Sequence, residues 1–291
     1  MTGVQTCALP ISEASSNHGQ DLSRALDFVD AAASCGCDAV KFQLFRIAEL
    51  FAPEILAKSE KHRARVQWEL PVAHLAPLAE RARKRGIQFS CTPFYLDAVK
   101  ELEPYVAFYK IASYELLWGG LLEACAKTGK PVIISTGMAT MPEIQTAVAT
   151  LKRAQCRDIT VLHCVSAYPA PPEEANLSAI EAIRNATGVS VGWSDHTRSP
   201  AIVERAVHRW NASAVEFHLD LDGTGAEYAA GHCWLPEEIG PVIARIREGE
   251  RADGRGFKEP VAAELSDREW RADPVDGLRP LRHVRAQWKA A

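Results

Sequence analysis

From residue 20 to 249, short β-branched or apolar runs alternate with longer stretches of helical period, the pattern of a parallel sheet with crossover helices. The first unit is clear. Asp21 can cap a helix in which Leu22, Leu26 and Val29 recur at helical spacing, and Gly36 stands where a left-handed residue ends it. A strand follows at Ala39 to Gln43. The unit repeats, with strands expected near Ile87 to Cys91, Ala107 to Ala112, Pro131 to Ser135, Ile159 to Cys164, Val189 to Trp193 and Ser213 to His218. Thr140 and Glu143 read as a capping box before a helix with Ile144, Val148 and Leu151 on one face, while Pro200, Pro236 and Asn176 open others.

Seven such strands need an eighth to close a (β/α)8 TIM barrel, and the stretch ending at Glu13 is the place for it. Residues 1–12, MTGVQTCALPIS, read like translated adapter sequence, an artefactual start that makes the first strand doubtful. The catalytic barrel is therefore taken as 13–250. Residues 44–75 are a longer insertion, with a charged segment from Ala57 to Arg65 and then Trp68, read as a solvated helical excursion in preference to a lid. After about residue 250 the alternation stops. Residues 251–291 form a C-terminal extension whose Trp270 and Trp288 imply docking on another surface.

Composition narrows the classes. At 291 residues, 47% hydrophobic and 24% charged, the chain can bury one large core. A formal charge of −4 and the lack of a Lys/Arg-rich run argue against nucleic acid. No apolar stretch approaches the roughly 20 residues of a membrane span, and no signal-peptide pattern opens the chain, so no membrane partner and a cytoplasmic location are expected. Eight cysteines without a CxxC pair read as reduced core residues.

In such barrels the chemistry gathers at the C-terminal ends of the strands. There this sequence places Lys41 and Gln43, then Thr92, Lys110 with Ser113 and Glu115, Ser135, and Ser166 with Tyr168 after His163. Ser194, Asp195 and His196 follow, then Glu216 and His218. A lone Lys or His at a strand end is as often structural as catalytic, and His163 and Cys164 could equally fill the barrel. Collectively, burying so many charges in one mouth without ligands would be costly. Two lysines with Thr92, Ser113, Ser135 and Ser194 suit a phosphate joined to a carboxylate, as in phosphoenolpyruvate. His196 and His218, on adjacent strands, can reach one divalent metal ion, with Asp195 either orienting a histidine or acting directly.

The stretches DAVKFQLF (38–45), FSCTPF (89–94), YKIASYE (109–115), KPVIISTGMAT (130–140), VLHCVSAYPAP (161–171), WSDHT (193–197) and VEFH (215–218) resemble the N-acetylneuraminate (sialic acid) synthase family, in family order. Glu13 and Asn17-His18 resemble the end of that family's first strand. The resemblance implies metal-dependent condensation of phosphoenolpyruvate with an N-acylated amino-sugar aldehyde such as N-acetylmannosamine, with loss of phosphate. By matching position, Lys41, Thr92, Lys110, Ser113, Ser135 and Ser194 would hold phosphoenolpyruvate, and His196 and His218 a Mn2+ or Mg2+ ion. Gln43, Ser166, Tyr168 and Glu227 would face the sugar, with Glu13 and Glu115 as the proton-handling carboxylates beside Lys110. A homodimer is the family expectation.

The family usually continues into an antifreeze-like domain that supplies an arginine to the sugar, and Arg271, Arg279, Arg282 or Arg285 is expected to substitute here. Ala167 stands where a Glu is commoner, and GAEYAAGHCWLP (225–236) departs from the family's usual stretch, so the acceptor is expected to differ. Two other readings stay open: a lyase with a Schiff base on Lys41 or Lys110, and a non-catalytic sugar-binding homologue.

Overall fold

The computed structural model describes residues 8–254 and 256–288. Eight parallel strands close into a barrel in chain order: β1 (Leu9–Glu13), β2 (Ala39–Leu44), β3 (Gln88–Pro93), β4 (Phe108–Ile111), β5 (Val132–Ser135), β6 (Ile159–Cys164), β7 (Ser190–Asp195) and β8 (Ala214–His218). The seven strands expected from sequence are in place within a residue or two. β1 pairs on both sides, with Glu13 opposite Lys41 of β2 and His218 of β8. Residues 9–12, set aside in the sequence reading, thus supply most of the strand that removes the open edges; residues 1–7 lie outside the described residues.

The crossover helices form where their signals stand. The Asp21 side chain accepts from the amides of Ser23 and Arg24 to open the helix Leu22–Ser34, and Gly36 follows at φ +83°. Its buried stripe is Ala25, Phe28, Val29 and Ala32, with Leu22 and Leu26 only half-buried. Small alanines let the helix lie close to the barrel, so the larger leucines sit at the edge of the contact. The Thr140 amide donates to Glu143 at 2.7 Å ahead of the helix Met141–Arg153, which buries Ile144, Val148 and Leu151 as expected. Pro200 and Pro236 each begin a helix.

The chain divides into two compact units, one ending at Glu250 and one beginning at Arg251. The first carries the barrel and its core. The second contains short helical turns and the helix Arg282–Gln287, and its Trp270 and Trp288 rings meet edge-to-face at 5.3 Å. The seven described cysteines are free thiols, six of them buried. Among the described residues no helix is long and apolar enough to cross a membrane.

Candidate active site

Strand residues two apart face the same side. Leu9, Ile11, Ala39, Phe108, Ile133, Leu162 and Ala214 pack as one apolar cluster within the barrel. Two residues further along the strands the same faces carry Glu13, Lys41, Lys110, Ser135, Cys164 and Glu216, all buried. The interior therefore changes from an apolar plug to a polar floor within one step of the pleat. Gly192 on β7 is needed beneath that floor, because a Cβ there would fall 2.3 Å from the Ala214 carbonyl oxygen and 2.7 Å from Leu162.

The floor is held by ion pairs. Lys41 pairs with Glu13, lies 4.0 Å from Glu216, and donates to Thr92 Oγ1 at 3.2 Å. Lys110 lies 3.3 Å from Glu216 and donates to Ser135 Oγ at 2.7 Å. Burial pushes the Lys41 ammonium down to about 8, opposed by the Glu216 charge. The sequence reading takes the two lysines as the positive part of an anion pocket and gives Glu216, at the end of β8, no role. Two buried carboxylates instead balance them, and Glu216 Oε2 has no hydrogen-bond partner. Its spacing of two from His218 on β8, already noted in the sequence, turns Glu216 to the same inward face.

Glu13, Lys41, Gln43, Lys110, Ser113, Ser135, Tyr168, Ser194, His196, His218 and Glu227 line one cavity of about 430 Å³. Three other expected residues are not part of this lining. Thr92 is fully buried and turned to Lys41. Ser166 packs against Gly137, where a Cβ would fall only 1.9 Å from its hydroxyl, and that hydroxyl has no partner. Glu115 is buried with one oxygen unpartnered, and burial raises its carboxyl to about 7 against the pull of Lys110.

One wall is imidazole. His196 Nδ1 lies 2.8 Å from the Val165 carbonyl, which it can satisfy only as a donor; burial opposes its protonation, but Cys164, that carbonyl and Asp195 raise its pKa overall. His218 Nδ1 lies 3.0 Å from Glu227, and burial pushes this imidazole down to about 4, partly opposed by that carboxylate, so it is neutral at pH 7. Burial opposes ionisation of Glu227 too, but the hydrogen bonds from His218 and Ser15, with His232 3.6 Å away, hold it well below the usual carboxylate range. The neutral His218 imidazole beside the fixed Glu227 anion is a donor set suited to a divalent ion. His163 is structural, 3.0 Å from the Ala175 carbonyl and packed on Trp193.

Asp195 orients no histidine ring. Its buried carboxylate accepts from the indoles of Trp193 and Trp234, both at 3.1 Å, and from Thr197 and the Arg198 amide. Through Trp234 it anchors the segment that returns after β8. The Trp234 amide donates to the His218 carbonyl at 2.8 Å, and the Asp220 amide to the Trp234 carbonyl at 2.8 Å. This return carries His232 to the cavity wall, a residue that sequence reasoning passed over because it lies on no strand.

A larger cavity of about 800 Å³ adjoins the first, the two sharing Ser15, Gln43, Arg65, Phe94, Glu227 and His232. Its wall includes Ile47, Leu50, Arg65, Gln67 and Trp68, so the insertion read as a solvated excursion instead lines the mouth. Arg65 stacks its guanidinium at 5.4 Å from both the Phe51 and Trp68 rings, and its Nε is buried without a partner. Of the arginines expected to take this part, Arg282 and Arg285 pair with Asp273 and Asp276 inside the C-terminal unit.

Residues 28–258 match the NeuB family. An uncharacterized protein of Methanocaldococcus jannaschii is 38% identical over 261 residues, 87% of this chain and 74% of that one. The N,N'-diacetyllegionaminic acid synthase of Campylobacter jejuni is 35% identical over 271 residues, 88% of this chain and 80% of its own. Among solved structures, the N-acetylneuraminic acid (sialic acid) synthetase of Leptospira borgpetersenii, in complex with citrate, superposes with a TM-score of 0.80 at 32% identity, covering 90% of each chain. A match that spans most of the barrel, joined to relatives of this identity and coverage, makes the chain a member of the NeuB family.

Proposed function

We propose that this chain condenses phosphoenolpyruvate with the open-chain aldehyde of an N-acylated amino sugar, forming a nonulosonic acid and releasing phosphate. The observation that carries the reading is one cavity in which a buried lysine floor meets a wall of imidazoles, opening beside a second cavity of sugar size. The legionaminic and sialic acid synthases among its relatives support the same reaction class.

In this reading Lys41, Lys110, Ser113, Ser135 and Ser194 hold the phosphate and carboxylate of phosphoenolpyruvate, and Thr92 keeps Lys41 aimed. Gln43, Tyr168 and Glu227 face the sugar. C3 forms a bond to the aldehyde carbon, whose oxygen takes a proton to become a hydroxyl. Water then bonds to C2 and gives one proton to a carboxylate; the bond from C2 to the phosphate oxygen breaks as the new C2 hydroxyl becomes the keto oxygen, its proton leaving with the phosphate. Glu13 on the wall and Glu115 behind Lys110 are the carboxylates available for these protons. His196 and His218 would hold a divalent ion, which when bound polarises the aldehyde.

The test is phosphate release from phosphoenolpyruvate with Mn2+, across a panel of N-acylated hexosamines, with and without EDTA. Sugar-dependent, chelator-sensitive release is expected. Folded protein that releases no phosphate with any acceptor would remove the reading and leave a binding protein of the same fold.

A further inference from the structure

The segment that returns after β8 brings two adjacent residues, His232 and Cys233, against the end of that strand, where Leu219 and Trp234 pair in parallel as an isolated bridge. His232 is 5% exposed and its Nδ1 has no hydrogen-bond partner, while Cys233 is fully buried. Both reach Glu227. Its Oε1 accepts from Ser15, and its Oε2 faces His218 Nδ1 at 3.0 Å, His232 Nε2 at 3.6 Å and Cys233 Sγ at 3.7 Å. Only the first of these three is a hydrogen bond of ordinary length. A buried imidazole left this way costs stability unless something takes its lone pair.

The spacing suits a tetrahedral shell. With bonds of about 2.1 Å to nitrogen or oxygen and about 2.3 Å to sulfur, tetrahedral donors stand roughly 3.3 to 3.6 Å apart. One donor atom from each of His218, Glu227, His232 and Cys233 lies within 4.8 Å of the other three, a group that does not include His196. The longest separations therefore need to close by only about 1 Å around an ion. Charge fits as well, because the Glu227 carboxylate and a Cys233 thiolate together offset a dication in a place that is largely buried.

We propose that His218, Glu227, His232 and Cys233 form a four-donor site for a thiophilic divalent ion of the zinc class, in strong preference to magnesium. Magnesium prefers an oxygen shell and keeps its waters, whereas imidazole and thiolate favour the later first-row ions. On binding, the ion takes the place of the proton between His218 Nδ1 and Glu227, the ring carries its proton on Nε2, and the Cys233 thiol releases its proton to solvent. A neutral imidazole has one lone pair, so an ion in this set takes His218 away from the pair with His196. The two sets are alternative homes for an ion. The inference does not rest on the functional reading above, because ion binding and phosphate release are measured separately and either can fail alone.

The test uses the whole chain, stripped with EDTA, with Zn2+ and Mg2+ binding measured by calorimetry and Co2+ by absorption. Wild type is compared with Cys233→Ser, His232→Gln, Glu227→Gln, His196→Ala and Cys164→Ser, each checked by circular dichroism and melting without metal. Wild type should bind Zn2+ at least about 100-fold tighter than Mg2+ and release about one proton per ion, read from the dependence of the heat on the buffer. Co2+ should give a sulfur-to-cobalt charge-transfer band that Cys233→Ser abolishes and Cys164→Ser keeps. Cys233→Ser, His232→Gln and Glu227→Gln should each lose at least about 10-fold in Zn2+ affinity, and His196→Ala should stay within about threefold of wild type. Three substituted positions keep the test decisive if one variant fails to fold. A wild-type Co2+ spectrum without a sulfur band, or a band that survives Cys233→Ser, would overturn the inference. Zn2+ binding lost in His196→Ala but kept in His232→Gln would also overturn it and leave the two-histidine reading standing.

Discussion

The Glu216 carboxylate lies 3.3 Å from the Lys110 ammonium, and both side chains are buried. Lys41 stands 4.0 Å from the same carboxylate, so one anion divides two cations on the barrel floor. Removing it by Glu216→Gln would leave the lysines under-compensated, and breaking a buried pair costs about 3 to 5 kcal/mol. A melting temperature lower by roughly 10 °C is expected. Saturating phosphoenolpyruvate should restore more of that loss than it adds to wild type, since the ligand supplies the missing negative charge. Equal ligand shifts in the two proteins would show that the anion does not bind at these lysines.

Glu115 makes a prediction in which stability and activity part. Its carboxyl is raised from 4.5 to about 7, chiefly by burial. The native state therefore keeps a proton that the unfolded chain releases, and stability falls as pH rises from about 4.5 through 7. Glu115→Gln removes this loss. The variant should match wild type at pH 4.5 and exceed it by about 3 kcal/mol at pH 8 in denaturant titrations. If Glu115 also moves a proton in the reaction, kcat falls at least tenfold in the same variant. A more stable enzyme with unchanged kcat would reject the catalytic part.

Arg65 lies between aromatic rings on the wall shared by both cavities. Arg65→Ala should raise the acceptor KM by roughly 10- to 100-fold, the worth of a hydrogen bond to a charged donor, and leave the phosphoenolpyruvate KM within about twofold. Arg65→Lys should recover little, because an ammonium lacks the planar stacking face. An acceptor KM that does not respond would return the 44–75 segment to a purely structural part.

Borohydride treatment with pyruvate bears on the lyase alternative. Lys41 is held by Glu13, and Lys110 by Glu216 and Ser135, so both amines are already engaged by buried partners. No covalent adduct is expected by mass spectrometry at pH 7. An adduct on either lysine would favour Schiff-base chemistry over the condensation.

The alternation of strand and helix, the caps at Asp21 and Thr140, and the residues that end each strand are local patterns, and they determined the barrel and most of its floor. Period-two spacing along each strand is enough to place Lys41, Lys110, Ser135, Ser194 and His218 inward, because strand geometry dictates side without knowledge of neighbours. What the local pattern could not give was pairing between distant segments. That Glu13 and Glu216 neutralise the lysines depends on how the closed barrel brings β1, β2, β4 and β8 together, whereas Asp195 meeting a second indole at Trp234, and Arg65 and His232 reaching the mouth, depend on where segments of no fixed period return. Such returns are set by contacts between segments apart in sequence, such as the Trp234 amide on the carbonyl of His218 at the end of β8 and the Trp234 indole on Asp195 of β7.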